Sequence, residues 1–194
     1  MLPSSPRLFR SAAAAVLDAV ARRTAPPVVT DVRDAGLTTL PAAVLAELHQ
    51  HVLEAERERV PGVLVVAGDK RGGAAVVVAD GRTSSREVRV YGVADRPALA
   101  ASLTAQGFRP DATRVSLLDG WPSADDPEPV AVAYLGRRAV GPALAPLAAR
   151  LAPGGVVVVA AFGADERRAV EAVAQAHGLA VARKPRRLTL RWEA

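Results

Sequence analysis

The sequence contains no cysteine, one methionine, only two lysines and 4% aromatic residues. Without cysteine the chain has no disulfide, cysteine nucleophile or thiolate metal ligand, and we expect a protein of the reducing cytoplasm. No apolar run reaches the roughly 18 residues that a membrane-spanning helix needs, so we predict no membrane protein. The few aromatic residues leave little surface on which bases could stack, which argues against nucleic-acid binding.

Basic residues are plentiful by contrast, and the formal net charge is +5. Of the 25 basic residues 23 are arginine, which is typical of a GC-rich gene. Most arginines alternate with acidic residues, and the one concentrated stretch is Arg183, Lys184, Arg186 and Arg187. We interpret this stretch as a solvated basic edge rather than a nucleic-acid interface.

A chain of 194 residues, half of them apolar, is long enough for one core. We predict one structural domain, with a helical segment over residues 1–60 packed on a core of residues 61–194. The first residues superficially resemble a secretory signal, but Asp18 interrupts the apolar stretch. Apolar residues there recur at helical spacing, which predicts an amphipathic helix; they are Leu8, Ala12, Val16, Leu17 and Val20.

A second helix is predicted from about Pro41 to Arg59. Pro26 and Pro27 separate it from the first as a connector, because tandem prolines cannot continue a helix. The expected buried stripe of this second helix is Leu45, Leu48, Val52 and Leu53.

Beyond Pro61-Gly62 the pattern changes to short Val-rich runs separated by helical segments. Such runs suit strands that are covered on both faces, and their alternation with helices predicts parallel crossovers. The predicted strands are 63–67, 88–93, 115–118, 130–135 and 156–162, with helices beginning near Gly73, Pro97, Ala139 and Asp165.

The chain ends in two further runs, 179–182 and 188–192, which predict an antiparallel hairpin. The predicted fold class is therefore α/β, a doubly wound and mostly parallel sheet with a C-terminal hairpin and N-terminal helices. This combination is typical of class I S-adenosylmethionine (SAM) methyltransferases and not of most dinucleotide-binding folds.

The first candidate site is the glycine-rich turn after the first strand, with Gly68, Asp69, Gly72 and Gly73. Glycines there let a ligand approach the backbone, and the following helix N-terminus favours electronegative groups. A tight strand-to-helix turn without a ligand explains the same residues equally well.

Two further candidates follow the next two strands. Asp95 can accept two hydrogen bonds from a ribose diol. Alternatively, it caps the helix that begins near Pro97. Asp119, Gly120 and Trp121 suit a purine, or form a turn capped by a half-buried tryptophan.

These stretches and the Pro153-Gly154-Gly155 turn together resemble the macrocin O-methyltransferase family over roughly residues 30 to 193. The resemblance includes the stretches 35–40, 60–62 and 71–73, Gly120-Trp121 and Arg191-Trp192. It implies a SAM-dependent enzyme that methylates sugar hydroxyls in antibiotic biosynthesis. It also implies a SAM site at Gly68, Asp69, Gly72, Gly73, Asp95, Asp119, Gly120 and Trp121.

The sequence departs from this family where the family has acidic residues. Ala67 replaces a glutamate of the first loop. Segments 133–135 and 160–162, which read Ala-Tyr-Leu and Ala-Ala-Phe, replace the aspartates that hold Mg²⁺. Alanine and leucine offer no oxygen ligand to a hard cation, so we expect no metal site.

No residue has the spacing of a catalytic partner. His49, His51 and Tyr134 are weak candidates for a base, and His49 and His51 are two apart, so they do not share a helix face. His177 is interpreted as a helix-end residue.

Two functions remain open. One is metal-independent SAM-dependent O-methylation in secondary metabolism, acting on a small hydroxylated substrate. The other is a pseudoenzyme whose methyltransferase fold serves binding or assembly with a protein partner, or a fold recruited for another reaction. A homodimer through the apolar N-terminal helices is an alternative to their packing within one chain.

Overall fold

The computed structural model describes residues 20, 23–93, 95–108, 114–160, 163–184 and 187–192. Most of the predicted first helix lies outside these residues. Six α-helices and seven strands occur within them. The helices are α1 (Pro27–Asp34), α2 (Ala42–Arg57), α3 (Gly73–Gly81), α4 (Arg96–Ala105), α5 (Val140–Ala149) and α6 (Ala164–Ala176). None of the described helices is both long and apolar enough to cross a membrane.

The strands form one sheet in the order β3-β2-β1-β4-β5-β7-β6. They are β1 (Val63–Ala67), β2 (Val88–Tyr91), β3 (Val115–Leu117), β4 (Val130–Leu135), β5 (Leu151–Val159), β6 (Ala180–Lys184) and β7 (Arg187–Arg191). Strands β1 to β5 are parallel, and β7 pairs antiparallel with β5 and with β6. The predicted fold class, including the C-terminal hairpin, is confirmed.

Both faces of the sheet are buried, because successive strand residues alternate between two cores. On β1, Leu64 and Val66 join a cluster with α1 to α4. Val63 and Val65 join a second cluster with α5 and α6. A strand covered on both faces needs apolar residues at every position, which explains the continuous Val-rich runs.

Two local predictions differ from the structure. Pro27 is the first residue of α1, since a proline fits the first helical turn, where its missing N–H is not needed. Pro153 and Gly154 lie within β5. Between the paired residues Val130–Leu151 and Val132–Val156, β5 advances by five residues while β4 advances by two. The predicted helix-to-strand turn is therefore a bulge inside a strand that begins five residues earlier than expected.

Candidate functional site

The loops after β1, β2, β3 and β4 meet at one edge of the sheet, because parallel strands place their carboxyl ends together. We call the loops after β1 and β4, residues 68–72 and 136–139, the inner half of this edge. The loops after β2 and β3, residues 92–96 except 94 and residues 118–121, are the outer half. In doubly wound folds, ligands bind at this edge.

In the inner half, Asp69 is a buried carboxylate that caps α3. Its Oδ2 accepts hydrogen bonds from the N–H groups of Ala74 at 2.7 Å and Ala75 at 3.2 Å. Burial raises the pKa of Asp69, while the hydrogen bonds from the backbone oppose that shift. The N-terminal amides of α3 that a ligand would use are thus partly satisfied from within the chain.

Gly72 and Gly73 connect this turn to the rest of the protein. Gly72 has a φ of +88°, and an added Cβ would lie 2.0 Å from Cδ1 of Leu99 on α4. Gly73 begins α3, and its N–H donates to the Leu37 carbonyl at 3.1 Å. The chain therefore needs both glycines for its own packing, which corresponds to the ligand-independent interpretation of this turn.

A cavity of about 290 Å³ lies beside the inner half. Tyr134 at the end of β4 lines it, and only 3% of that residue is exposed. Burial, together with the charge of Asp69, raises the pKa of Tyr134. The phenol therefore keeps its proton, can donate a hydrogen bond and cannot act as a phenolate base. The remaining lining residues are Thr38, Thr39, Leu40, Gly68, Asp69, Lys70, Arg71, Gly136, Arg137 and Ala160.

In the outer half, the residue directly after β2 is Gly92. The Trp121 ring covers it so closely that an added Cβ would lie 2.4 Å from Cζ3 of the indole. This is the place at the end of the second strand where a carboxylate binds a ribose in doubly wound folds. The indole instead closes it, with 37% of Trp121 exposed.

The two acidic residues of the outer half also have partners within the chain. Asp95 caps α4 by accepting a hydrogen bond from the Ala98 N–H at 3.0 Å. Asp119 is paired with the Arg96 guanidinium at 2.7 Å, and Arg96 also donates to the Leu117 carbonyl. Gly120, with a φ of +70°, forms an open turn between Asp119 and Trp121.

Both candidate histidines lie on α2, away from this edge. His49 Nε2 is 3.0 Å from Asp80 Oδ2, beside the carboxyl end of α3 and thus toward the opposite edge of the sheet. His51 lies between Glu47 and Glu54 and faces the β6–β7 hairpin across a second cavity. Only Tyr134 of the three proposed bases borders the inner cavity, and it is protonated. His177 follows the last turn of α6 as its C-cap.

The positions that lack acidic residues are packed into the core. Ala133 and Leu135 on β4 are fully buried, and Ala160 follows β5 at the inner cavity. Ala161 and Phe162 lie outside the described residues. Within the described part of the chain, no three His, Asp or Glu residues are grouped as metal ligands.

In this structure the two halves of the edge differ in the room they leave for a ligand such as SAM. The cavity of the inner half, at about 290 Å³, is at the lower end of the range of roughly 300–1,000 Å³ for drug-sized ligands. The Trp121 indole covers Gly92 directly after β2, and the carboxylate that follows it, Asp95, caps α4. Among the cavities that the described residues line, one borders the inner half of this edge.

Solved structures of methyltransferases share this fold. The O-methyltransferase NovP is 20% identical, with a TM-score of 0.59 over 81% of this chain and 82% of its own. A SAM-dependent O-methyltransferase from Thermotoga maritima is 14% identical, with a TM-score of 0.62 over 87% and 72%. SAH-bound PaMTH1 from Podospora anserina is 12% identical, with a TM-score of 0.58 over 100% and 99%.

The chain therefore has the fold of SAM-dependent methyltransferases. No protein-family model and no curated protein matches its sequence. At these identities the likeness concerns the fold, and the function has to be argued from the site.

Sequence reasoning missed three residues that decide the shape of this edge. Leu99 packs against Gly72, and Arg96 pairs with Asp119. Gly136 allows the loops after β1 and β4 to contact each other. The Gly136 contact had a signal in the sequence, since a glycine directly after a buried strand indicates close backbone approach. Leu99 and Arg96 had none, because their partners are distant in sequence.

Proposed function

We propose that this protein is a non-catalytic relative of SAM-dependent O-methyltransferases that binds a partner or small molecule without transferring a methyl group. The observation that carries the proposal is the Trp121 indole on Gly92. Methyl transfer requires SAM to lie across the whole edge, and the adenosine end of that path is closed.

The other polar groups of the edge support the same conclusion. Asp69 and Asp95 cap helices, and Asp119 is neutralised by Arg96. A general base must reach the proton that it removes, and the two histidines lie elsewhere. Loss of several functional side chains together, with the fold retained, is what a binding or assembly role permits.

The setting in natural-product metabolism rests on the macrocin-family resemblance alone. In that setting the partner is a hydroxylated small molecule or another protein of the same biosynthetic route. A second copy of this chain is a further candidate partner.

Metal-independent O-methylation is the second candidate function. It is favoured by the inner cavity, which places a hydroxyl-binding phenol, Tyr134, at the edge where the fold's methyl donor lies in an active enzyme. Such an enzyme would act by positioning the two reactants, without a metal or a histidine base.

Calorimetric titration with SAM and S-adenosylhomocysteine, with and without Mg²⁺, separates these functions. We expect no saturable binding by the wild-type chain at roughly millimolar ligand. The double variant Gly92→Asp/Trp121→Ala removes the indole and restores a carboxylate, and we expect it to gain binding. Aspartate tolerates the positive φ of Gly92 better than most residues.

Trp192→Phe is the matched control. Trp192 is the only other tryptophan of the sequence, is similarly exposed and directly follows β7 of the C-terminal hairpin. Micromolar S-adenosylhomocysteine binding by the wild type would show that Trp121 does not close the adenosine path and would remove the observation that carries the proposal. Methyl transfer to a hydroxylated acceptor in the absence of Mg²⁺ would establish the second function instead.

A further inference from the structure

The inner cavity combines one buried donor with a cationic rim. Tyr134 as a residue is only 3% exposed, its hydroxyl has no hydrogen-bond partner among the described residues, and the oxygen itself is open to the cavity rather than sealed in the core. A buried polar group without a protein partner is costly unless water or a ligand satisfies it. The hydroxyl can therefore donate to water or to an acceptor atom of a ligand in the cavity.

Three cationic side chains line the same cavity: Lys70, Arg71 and Arg137. The Lys70 side chain is exposed at the rim, and none of the described residues forms an ion pair with it. Arg71 donates to the Gly36 carbonyl at 3.2 Å, and Arg137 pairs with Glu166 at 2.5 Å. Both guanidinium groups keep further N–H donors for a second acceptor.

The one carboxylate of the lining, Asp69, does not cancel this charge at the rim. It is buried beneath the turn and is hydrogen bonded to the amides of α3. Because Glu166 offsets Arg137, the net positive charge of the rim comes from Lys70 and Arg71, while the wall supplies a neutral donor. This combination favours an anionic ligand that carries acceptor oxygens.

The volume limits the size of that ligand. About 290 Å³ corresponds to the space of roughly ten water molecules in the liquid. Small organic phosphates and hydroxy acids can be enclosed in this volume.

We propose that the inner cavity is a binding site for a small organic anion, a phosphate ester or a hydroxy acid, held by Lys70, Arg137 and the Tyr134 hydroxyl. The site rests on the proposed function, because this anion occupies the edge in place of SAM. Lys70 and Arg137 bind the negative group, and Tyr134 donates to an oxygen at the buried end.

Titration with glycerol 3-phosphate, glycerate and glycerol tests the site. We expect at least one of the two anions to bind at roughly millimolar concentration, more weakly at high salt, and glycerol not to bind. Comparing glycerol 3-phosphate with glycerate shows whether the site prefers a phosphate or a carboxylate group. Lack of binding by both anions at about 10 mM would overturn the proposal.

Three variants locate the binding. Tyr134→Phe keeps the ring and removes only the hydroxyl, and Lys70→Gln and Arg137→Gln each remove one charge. We expect each to weaken binding by about tenfold. Arg168→Gln is the control, because Arg168 is also an exposed arginine paired with an acidic residue of α6 but lies outside the cavity lining. Equal weakening by the control, or unchanged binding in all three variants, would also overturn the proposal.

A parallel titration with S-adenosylhomocysteine separates this inference from the proposed function. If the wild type binds S-adenosylmethionine and transfers its methyl group to a hydroxylated acceptor, the non-catalytic function fails. If neither compound type binds, only the anion site fails and the non-catalytic function stands.

Discussion

The inner and outer halves of the carboxyl edge differ in what their small residues make possible. In the inner half, glycines bring two backbones together, and a cavity remains beside them. In the outer half, Gly92 accommodates a tryptophan ring, and at the boundary Gly72 of the inner half accommodates Leu99 of α4. A glycine at a ligand-binding edge therefore indicates close approach, while the neighbouring side chains decide whether a ligand or the protein itself approaches.

The two halves also differ in how the side chains of their acidic residues are hydrogen bonded. Asp69 is buried at the cavity wall, whereas Asp119 is exposed and paired with Arg96. Each carboxylate is satisfied by the nearest donor of the chain. The largest consequences should come from substitutions that disturb the packing which separates the two halves.

Gly136→Ala should have the largest effect because it breaks the inner half. The new Cβ would lie 2.5 Å from the Gly68 carbonyl oxygen, and a backbone atom cannot move aside easily. We expect a loss of about 3 kcal/mol in the free energy of unfolding, measured by urea denaturation. Gly141→Ala is the control, since nothing lies within 4 Å of its added Cβ. Similar unfolding midpoints for both variants would contradict this packing.

Leu99→Ala should open the boundary between the halves. Leu99 is buried on α4, and we expect truncation to cost about 2 kcal/mol. It should also make Gly72→Ala less harmful, because Cδ1 of Leu99 is the atom nearest to the added Cβ. Additive effects of the two substitutions in a double-mutant cycle would show that the contact is absent.

Trp121→Ala should have a smaller effect on stability, since more than a third of the residue is already exposed. We expect a loss of about 1 kcal/mol. In a Trp192→Phe background, Trp121 is the only tryptophan, and its fluorescence emission should shift to longer wavelength on unfolding. An emission maximum that does not change on unfolding would mean that the indole is solvated in the native state and does not cover Gly92.

Asp69→Asn should have the smallest effect, visible in the pH dependence of stability. Burial raises the pKa of Asp69 above its ordinary value, so the folded chain binds this proton more tightly than the unfolded chain. Its stabilising contribution is complete below about pH 4 and is lost as the pH rises through the folded-state pKa. The variant should therefore lose less stability than the wild type between about pH 4 and pH 7.

Urea denaturation at several pH values, with Asp119→Asn as the exposed control, measures this difference. An identical pH dependence in Asp69→Asn and the wild type would contradict the burial of this carboxylate.

Much of the fold was predictable from the sequence, because burial on both faces imposes a local pattern. The five Val-rich runs correspond to β1 to β5, and the two C-terminal runs correspond to the hairpin. The bulge at Pro153 and Gly154 was not predictable, since Pro-Gly also ends helices. The candidate site residues lie at the carboxyl edge of the sheet, as the strand pattern predicts, but the partners of their side chains were not predictable. Asp95 shows why: ribose binding and helix capping require the same carboxylate in the same place.

The sequence by itself determined the order of the strands along the chain, the terminal hairpin and the absence of acidic side chains at the ends of β4 and β5. These properties depend on residue type and on spacing over a few residues. Only the tertiary structure decided that Trp121 covers Gly92, that His49 pairs with Asp80 and that Tyr134 borders a cavity. Each of these contacts joins residues that are distant along the chain, and their geometry follows from how the helices pack on the sheet.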